Sequence, residues 1–160
     1  MKPGDFDAVL PFPLLDGAWM LGVTTTGTGL RGIDFLPPCP AQAPRTALAE
    51  RVARQLERYF ADPAFRFDLP LDLQGSDFQL RAWRALATIP AGRQFTYGEL
   101  AARLGSSPRA VGGACRRNPV PLVLPCHRVV AKSGVGGYAG STAGGFLPIK
   151  QALLDHESRV

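Results

Sequence analysis

The sequence predicts an α+β protein, with a small mixed unit over residues 1–72 and a mainly helical unit over 73–160. Three patterns carry this reading. Two β-prone runs flank a Gly/Thr-rich turn near Gly27, apolar residues recur every fourth position from Leu48 to Phe60, and three helix starts in the second half carry capping residues.

Taken in order, residues 18–36, "AWMLGVTTTGTGLRGIDFL", read as a β-hairpin. Leu48, Val52, Leu56 and Phe60 then mark an amphipathic helix that begins at Thr46 and stops before Pro63. "LPLDLQG", extended and bounded by Pro and Gly, is the expected link between units. Ser76 with Gln79, and Thr96 with Glu99, have capping-box spacing, in which each side chain satisfies the other residue's free backbone N–H. The first of these helices should run through Phe78, Ala82, Leu86 and Ile89 to the stop at Pro90-Ala91-Gly92, and the second through Leu100 and Leu104 to Gly105. Ser107 and Pro108 open a third helix, closed by Asn118-Pro119. Two short helices joined at a glycine make a helix-turn-helix pattern. Inside the third helix, "RAVGGACRR" places Gly112 and Gly113 where each costs about 1 kcal/mol relative to alanine. Tight packing within the domain or close approach of a ligand would offset that cost. Cys115, on the same helix, reads as a core residue.

With 160 residues, 46% of them hydrophobic, the chain can build one ordinary domain or two small ones. No apolar run approaches the roughly 20 residues of a membrane span, and "MKPGDFDAVLPFPLL" lacks the features of a signal peptide. The expectation is a soluble cytoplasmic protein. Cys39, Cys115 and Cys126 are an odd number at no recurring spacing, which argues against a disulfide framework. With His127 and His156 they form no structural zinc set, and no metal is expected. Net charge is +5, but residues 1–72 hold seven Lys/Arg against nine Asp/Glu, whereas 73–160 hold eleven against four. That surplus suits a polyanion such as nucleic acid, or else a solubilising surface.

The stretch "VPLVLPCHRVVAKSGVGGY", residues 120–138, sets a Pro-Cys-His triplet behind an apolar, β-prone run. A free cysteine has a pKa of about 8.5, so a reactive Cys126 needs help. His127 could take its proton, directly or through a water, if a carboxylate fixed the imidazole's tautomer. Adjacent side chains on an extended strand point to opposite faces, so the Cys-His step must bend or use a bridging water, and Pro125 favours a bend. Carboxylates in the second half are Asp77, Glu99, Asp155 and Glu157, of which the first two look occupied at helix starts. Glu157 or Asp155 is therefore preferred. By itself the dipeptide fits a buried thiol beside a satisfied histidine better than a reactive pair.

The company of the dipeptide decides further. "GELAARLGSSPRAVGGACRRNPVPLVLPCHRVVAKSGVGGYAG" closely resembles the C-terminal domain of the O6-alkylguanine-DNA alkyltransferases, single-turnover DNA repair proteins, and "NPVPLVLPCHRVV" is the specific signature. The likeness runs from "DFQLRAWRALATIPAGRQFTYGELA" to "KQALLDHE", roughly the last 85 residues. The first half fits the family's small N-terminal α/β domain, ribonuclease H-like, by layout only. The resemblance implies that Cys126 accepts the alkyl group from O6-alkylguanine, and from O4-alkylthymine, in an in-line displacement that leaves a thioether. His127 matches the base acting through a water, and Glu157 the carboxylate that orients it. Asn118 matches the asparagine bracing the turn before the active-site strand. Tyr97 matches the tyrosine that donates to the departing guanine ring and crowds the adjacent phosphate. Pro121, Val129, Tyr138 and the backbone of Ala139 match the guanine pocket. Arg109 matches the finger that fills the space of the extruded base, on a helix whose Ala110, Gly112, Ala114 and Arg116 would face the minor groove of double-stranded DNA with little sequence specificity. Base flipping is implied because the target atom lies inside the stack. No cofactor and a monomeric state are expected.

Three departures stand out. The link "LGSSPRAVG" is two residues shorter than in some members, "AGSTAGGFLPIKQALL" is longer than the common Gly-Gly-to-Lys connection, and Ala139 replaces a frequent serine. Alternatives to transfer are a lesion-binding protein, as in relatives with tryptophan at the acceptor position, a helix-turn-helix regulator, or a thiol hydrolase. The presence of Cys126 speaks against the lesion-binding form.

Overall fold

The structure, a computed structural model, describes residues 5–138 and 145–160. Ala139 therefore lies outside the described residues. Two compact units divide the chain, Met1–Leu73 and Gln74–Val160.

In the first unit, β1 (Ala8–Pro11), β2 (Met20–Thr25) and β3 (Leu30–Leu36) form an antiparallel sheet in that order, with α1 (Ala47–Ala61) following. The expected hairpin is β2–β3. Its turn is held by Thr26, whose N–H donates to the Gly29 carbonyl at 2.8 Å and whose hydroxyl donates to Asp72 at 2.8 Å. Strand β1 was not expected, because four residues before a Phe-Pro step carry too little periodic signal. Helix α1 starts at Thr46, whose side-chain oxygen accepts from the Ala49 N–H at 2.9 Å. Its buried stripe is Ala49, Val52, Leu56 and Tyr59 rather than the fourfold series through Leu48 and Phe60. A strict spacing of four drifts about 40° per step on a helix of 3.6 residues per turn, so both ends of that series are only half-buried. "LPLDLQG" meets the sheet through a parallel bridge between Leu30 and Leu71 and through Asp72, which accepts from the Thr26 hydroxyl.

The second unit contains α2 (Asp77–Leu86), β4 (Phe95–Thr96), α3 (Tyr97–Leu104), α4 (Pro108–Arg116), β5 (Val129–Val130) and α5 (Leu147–Glu157). Both capping boxes form, at Ser76/Gln79 and Thr96/Glu99, and Gly105 ends α3 in the left-handed conformation at φ +62°. Helix α2 stops at Leu86, three residues short of the expected Ile89, which is buried in the following turn. Trp83 fastens α2 to α4 by donating from its indole to the Ala114 carbonyl at 2.9 Å, and Arg81 donates to the Leu104 carbonyl at the end of α3. These elements establish a mixed α/β fold of small sheets and helices.

The run "VPLVL" is not a strand. Residues 121–124 turn, and Leu122 holds a φ of +71°. Its apolar character reflects burial inside a turn, which periodicity cannot distinguish from a buried strand. The chain then tightens into a single 3-10 turn over Cys126–Arg128 before β5. Strand β5 pairs in parallel with β4, Phe95 opposite Val129 and Thr96 opposite Val130. That pairing brings the start of α3, with Tyr97, alongside the segment leaving the Cys-His turn. Among the described residues no helix is long and apolar enough to cross a membrane.

Ser76→Ala removes the hydroxyl that caps α2 and should lower stability by about 1 kcal/mol. Urea unfolding would read it as a shifted midpoint at unchanged slope.

Candidate active site

The 3-10 turn resolves the stereochemical problem posed by adjacent Cys and His. Pro125 leads into it, and the Cys126 N–H donates back to the Leu124 carbonyl at 2.8 Å while the Arg128 N–H donates to Pro125 at 3.0 Å. Asn118 braces the approach: its side-chain amide donates to the Leu124 carbonyl at 2.7 Å and its oxygen accepts from the Val120 N–H at 3.0 Å. A left-handed Leu122 costs on the order of 1–3 kcal/mol, and those two bonds help hold it. Pro121 and Val129 are buried on either side of the Cys-His turn.

Cys126 is 6% exposed, and the side chains of Asn118 and Tyr138 lie within hydrogen-bonding reach of its sulfur. Burial pushes its thiol pKa up, opposed by those hydrogen bonds and by the charge of Lys150. His127 is fully buried and its Nε2 lies 2.8 Å from Glu157 Oε2. Of the two carboxylates left open by the sequence, Glu157 is the partner, while Asp155 is exposed and bonded to Gln151. Burial would raise the Glu157 pKa, but hydrogen bonds from His127 and Arg128 outweigh it and hold the carboxyl well below the usual carboxylate range. An ionised Glu157 can only accept, so Nε2 carries the proton and Nδ1 presents a lone pair. Nδ1 is buried and meets no hydrogen-bond partner among the described residues. Desolvation pushes the imidazole pKa down, so His127 is neutral at neutral pH and able to accept a proton.

Two cations at this site were not singled out from sequence. Arg128 Nε and Nη2 grip both oxygens of Glu157 at 2.8 and 2.9 Å. Lys150, fully buried on α5, donates to the carbonyls of Val129 at 2.7 Å and Gly137 at 2.9 Å, and burial lowers its pKa to about 8. Lysine and arginine are ordinarily surface residues, so their sequence context hid them. A buried partner far along the chain is the signal that sequence lacks.

Tyr97 donates from its hydroxyl to the Gly137 carbonyl at 3.4 Å, and burial raises its pKa to about 12. Gly136, at φ +81°, seats that ring: an added Cβ would sit 3.0 Å from it and 3.2 Å from the Ala131 nitrogen. Helix α4 presents Arg109 and Arg116 to solvent, with Ala110 and Gly112 half-buried. Ala114 does not share that face. It is 3% exposed and points inward with Val111, because three residues separate them on one side of the helix. A Cβ added at Gly112 or Gly113 would meet no described atom within 4 Å, so tight internal packing is not the reason for these glycines. Cys115 is half-buried rather than a core residue, and its thiol pKa is raised to about 12 by desolvation and the nearby Cys126.

Acid should destabilise this unit through both partners. His127 has a folded pKa below its unfolded value near 6.5, so stability falls once the unfolded imidazole binds a proton below that pH. Glu157 has a folded pKa below its unfolded value near 4.5, and its contribution is lost as pH falls further. Glu157→Gln should flatten that lower segment of the stability-pH curve, measured by urea unfolding. It should also cost about 3–5 kcal/mol near neutrality by leaving Arg128 buried without its counter-charge.

The family model of 6-O-methylguanine DNA methyltransferase, DNA binding domain, matches residues 77–159. The methylated-DNA–protein-cysteine methyltransferase of Mycolicibacterium paratuberculosis is 50% identical over 108 residues, 66% of this chain and 62% of that protein. The match thus spans less than two thirds of that curated relative. A crystal structure of Mycobacterium tuberculosis O6-methylguanine methyltransferase superposes with a TM-score of 0.78 at 34% identity, covering 94% of this chain and 91% of that one. Mycobacterium tuberculosis OGT in complex with DNA gives 0.75 at 35% identity, covering 94% and 92%. With more than half of the chain matched by the family model, and the matched segment holding the Cys126, His127 and Glu157 cluster, the chain belongs to the 6-O-methylguanine DNA methyltransferase family.

Proposed function

We propose that the protein repairs DNA by direct reversal, moving the alkyl group of O6-alkylguanine irreversibly to Cys126. The observation that carries this reading is the buried Cys126-His127-Glu157 cluster, in which the imidazole Nδ1 is free to accept a proton. A DNA-bound relative of the same fold supports the substrate class.

In the proposed sequence the Cys126 thiol, kept protonated at rest by burial, gives its proton through a water to His127 Nδ1. The thiolate lone pair forms the S–C bond in line as the C–O6 bond breaks, and the electron pair leaves with the guanine. Tyr97, whose raised pKa keeps its hydroxyl protonated, donates toward the ring. Glu157 stabilises the imidazolium that results. The thioether is not displaced by water, so each molecule acts once. Pro121, Val129, Tyr138 and the backbone of Ala139 would line the guanine pocket.

The two helices α3 and α4, joined by a three-residue turn, serve in this reading as the helix-turn-helix that meets duplex DNA across the minor groove with little sequence preference. The open side of Gly112 and Gly113 and the exposed Arg109 and Arg116 support that face, with Ala110 at its edge. Arg109 would fill the space of the flipped base, offsetting a few kcal/mol of unstacking. We also infer a monomer acting in the cytoplasm, with an N-terminal unit that keeps a ribonuclease H-like layout.

Protein mixed with excess methylated duplex should gain one methyl on the peptide carrying Cys126 and then stop, as read by mass spectrometry. Turnover, or methylation surviving Cys126→Ser, would overturn the reading. Arg109→Ala should slow repair in duplexes more than reaction with free O6-benzylguanine, which needs no flipping. Equal losses on the two substrates would remove the finger role.

A further inference from the structure

Arg128 takes no part in the chemistry above, yet its side chain turns inward and spends three donors on two partners. Nε and Nη2 meet the two Glu157 oxygens at 2.8 and 2.9 Å, and Nη1 meets the Ile89 carbonyl in the turn after α2. Glu157 Oε2 is thereby shared between Arg128 and His127 Nε2. A carboxylate held on both oxygens by a planar fork cannot rotate away from the imidazole, and a guanidinium does not surrender its proton. Around the imidazole, the charged and titratable groups are Glu157 and Lys150 from α5, with Cys126 and Arg128 from its own turn. Of the two cations, Arg128 is the one bonded to the carboxylate; Lys150 bonds backbone carbonyls.

We propose that Arg128 is a positioning residue for alkyl transfer, holding Glu157 ionised and oriented so that His127 keeps its proton on Nε2 and its lone pair on Nδ1. The role rests on Cys126 being the acceptor. Lysine cannot fill it fully, since a point charge lacks the fork that fixes both oxygens. A purely structural Arg128 would change thermal stability and leave the imidazole as it was.

Two readouts test this on the full chain: the single-turnover rate on methylated duplex, and the 15N spectrum of the His127 ring. In the unmodified protein Nδ1 should show as an unprotonated nitrogen and Nε2 as a protonated one. Arg128→Met should mix or reverse that signature and slow transfer by about tenfold or more, by analogy with the loss of an outer partner of a metal-bound histidine. Arg128→Lys should fall between. In a Glu157→Gln background, Arg128→Met should add less than about twofold, because its effect passes through the carboxylate. An unchanged His127 spectrum or an unchanged rate in Arg128→Met overturns the proposal, as does a full additional loss in the Glu157→Gln background. Should Arg128→Met not fold, Arg128→Lys is judged by the same spectrum and rate. If the unmodified protein transfers no methyl to Cys126, the functional reading fails separately, and the His127 spectrum still reports on Arg128.

Discussion

A carboxylate at 2% exposure stays charged only when its surroundings replace the water it has lost, and Glu157 meets that condition through His127 and Arg128. Without them the desolvation penalty of several kcal/mol would neutralise it. The arrangement constrains much else in the second unit. It draws the end of α5 onto the Cys-His-Arg turn, and through the Ile89 carbonyl it ties that turn to the segment after α2. It also dictates the histidine tautomer, since an ionised acceptor demands a proton on Nε2.

The Cys-His turn is held from its other sides as well. Asn118 occupies backbone groups of the strained 120–124 turn, the β4–β5 pair lays Tyr97 beside the exit strand, and Lys150 spans the Val129 and Gly137 carbonyls. Buried polar groups in such a network are costly unless bonded. His127 Nδ1 stands out against that background as a buried nitrogen with no partner among the described residues, and it is the atom the proposed proton transfer requires. The bonded support around the turn and the available Nδ1 lone pair are the preorganisation that the proposed transfer calls for.

Local signals were the legible ones. Both capping boxes, the Gly105 stop and the Ser107-Pro108 start formed as read, because each depends on residues within one helical turn. The apolar run "VPLVL" was misread as β-prone, since hydrophobicity reports burial and not the sign of φ at Leu122. Ala114 was grouped with its small neighbours through the resemblance, although helical phase turns it inward with Val111. The α1 helix formed as read with Val52 and Leu56 buried, and only the ends of its stripe shifted, because counting in fours ignores the 3.6-residue turn.

The sequence by itself determined where α1 to α4 begin and where α3 ends at Gly105, that Cys126 sits beside a histidine at a bend, and, by its signature, the family. Only the tertiary structure decided which of Asp155 and Glu157 partners His127, that Arg128 and Lys150 are buried, and that the space beside Gly112 and Gly113 is open. The physical reason is sequence separation. A cap is settled by neighbours three residues apart, whereas His127 and Glu157 lie thirty residues apart and meet only because α5 and the 3-10 turn fold against each other.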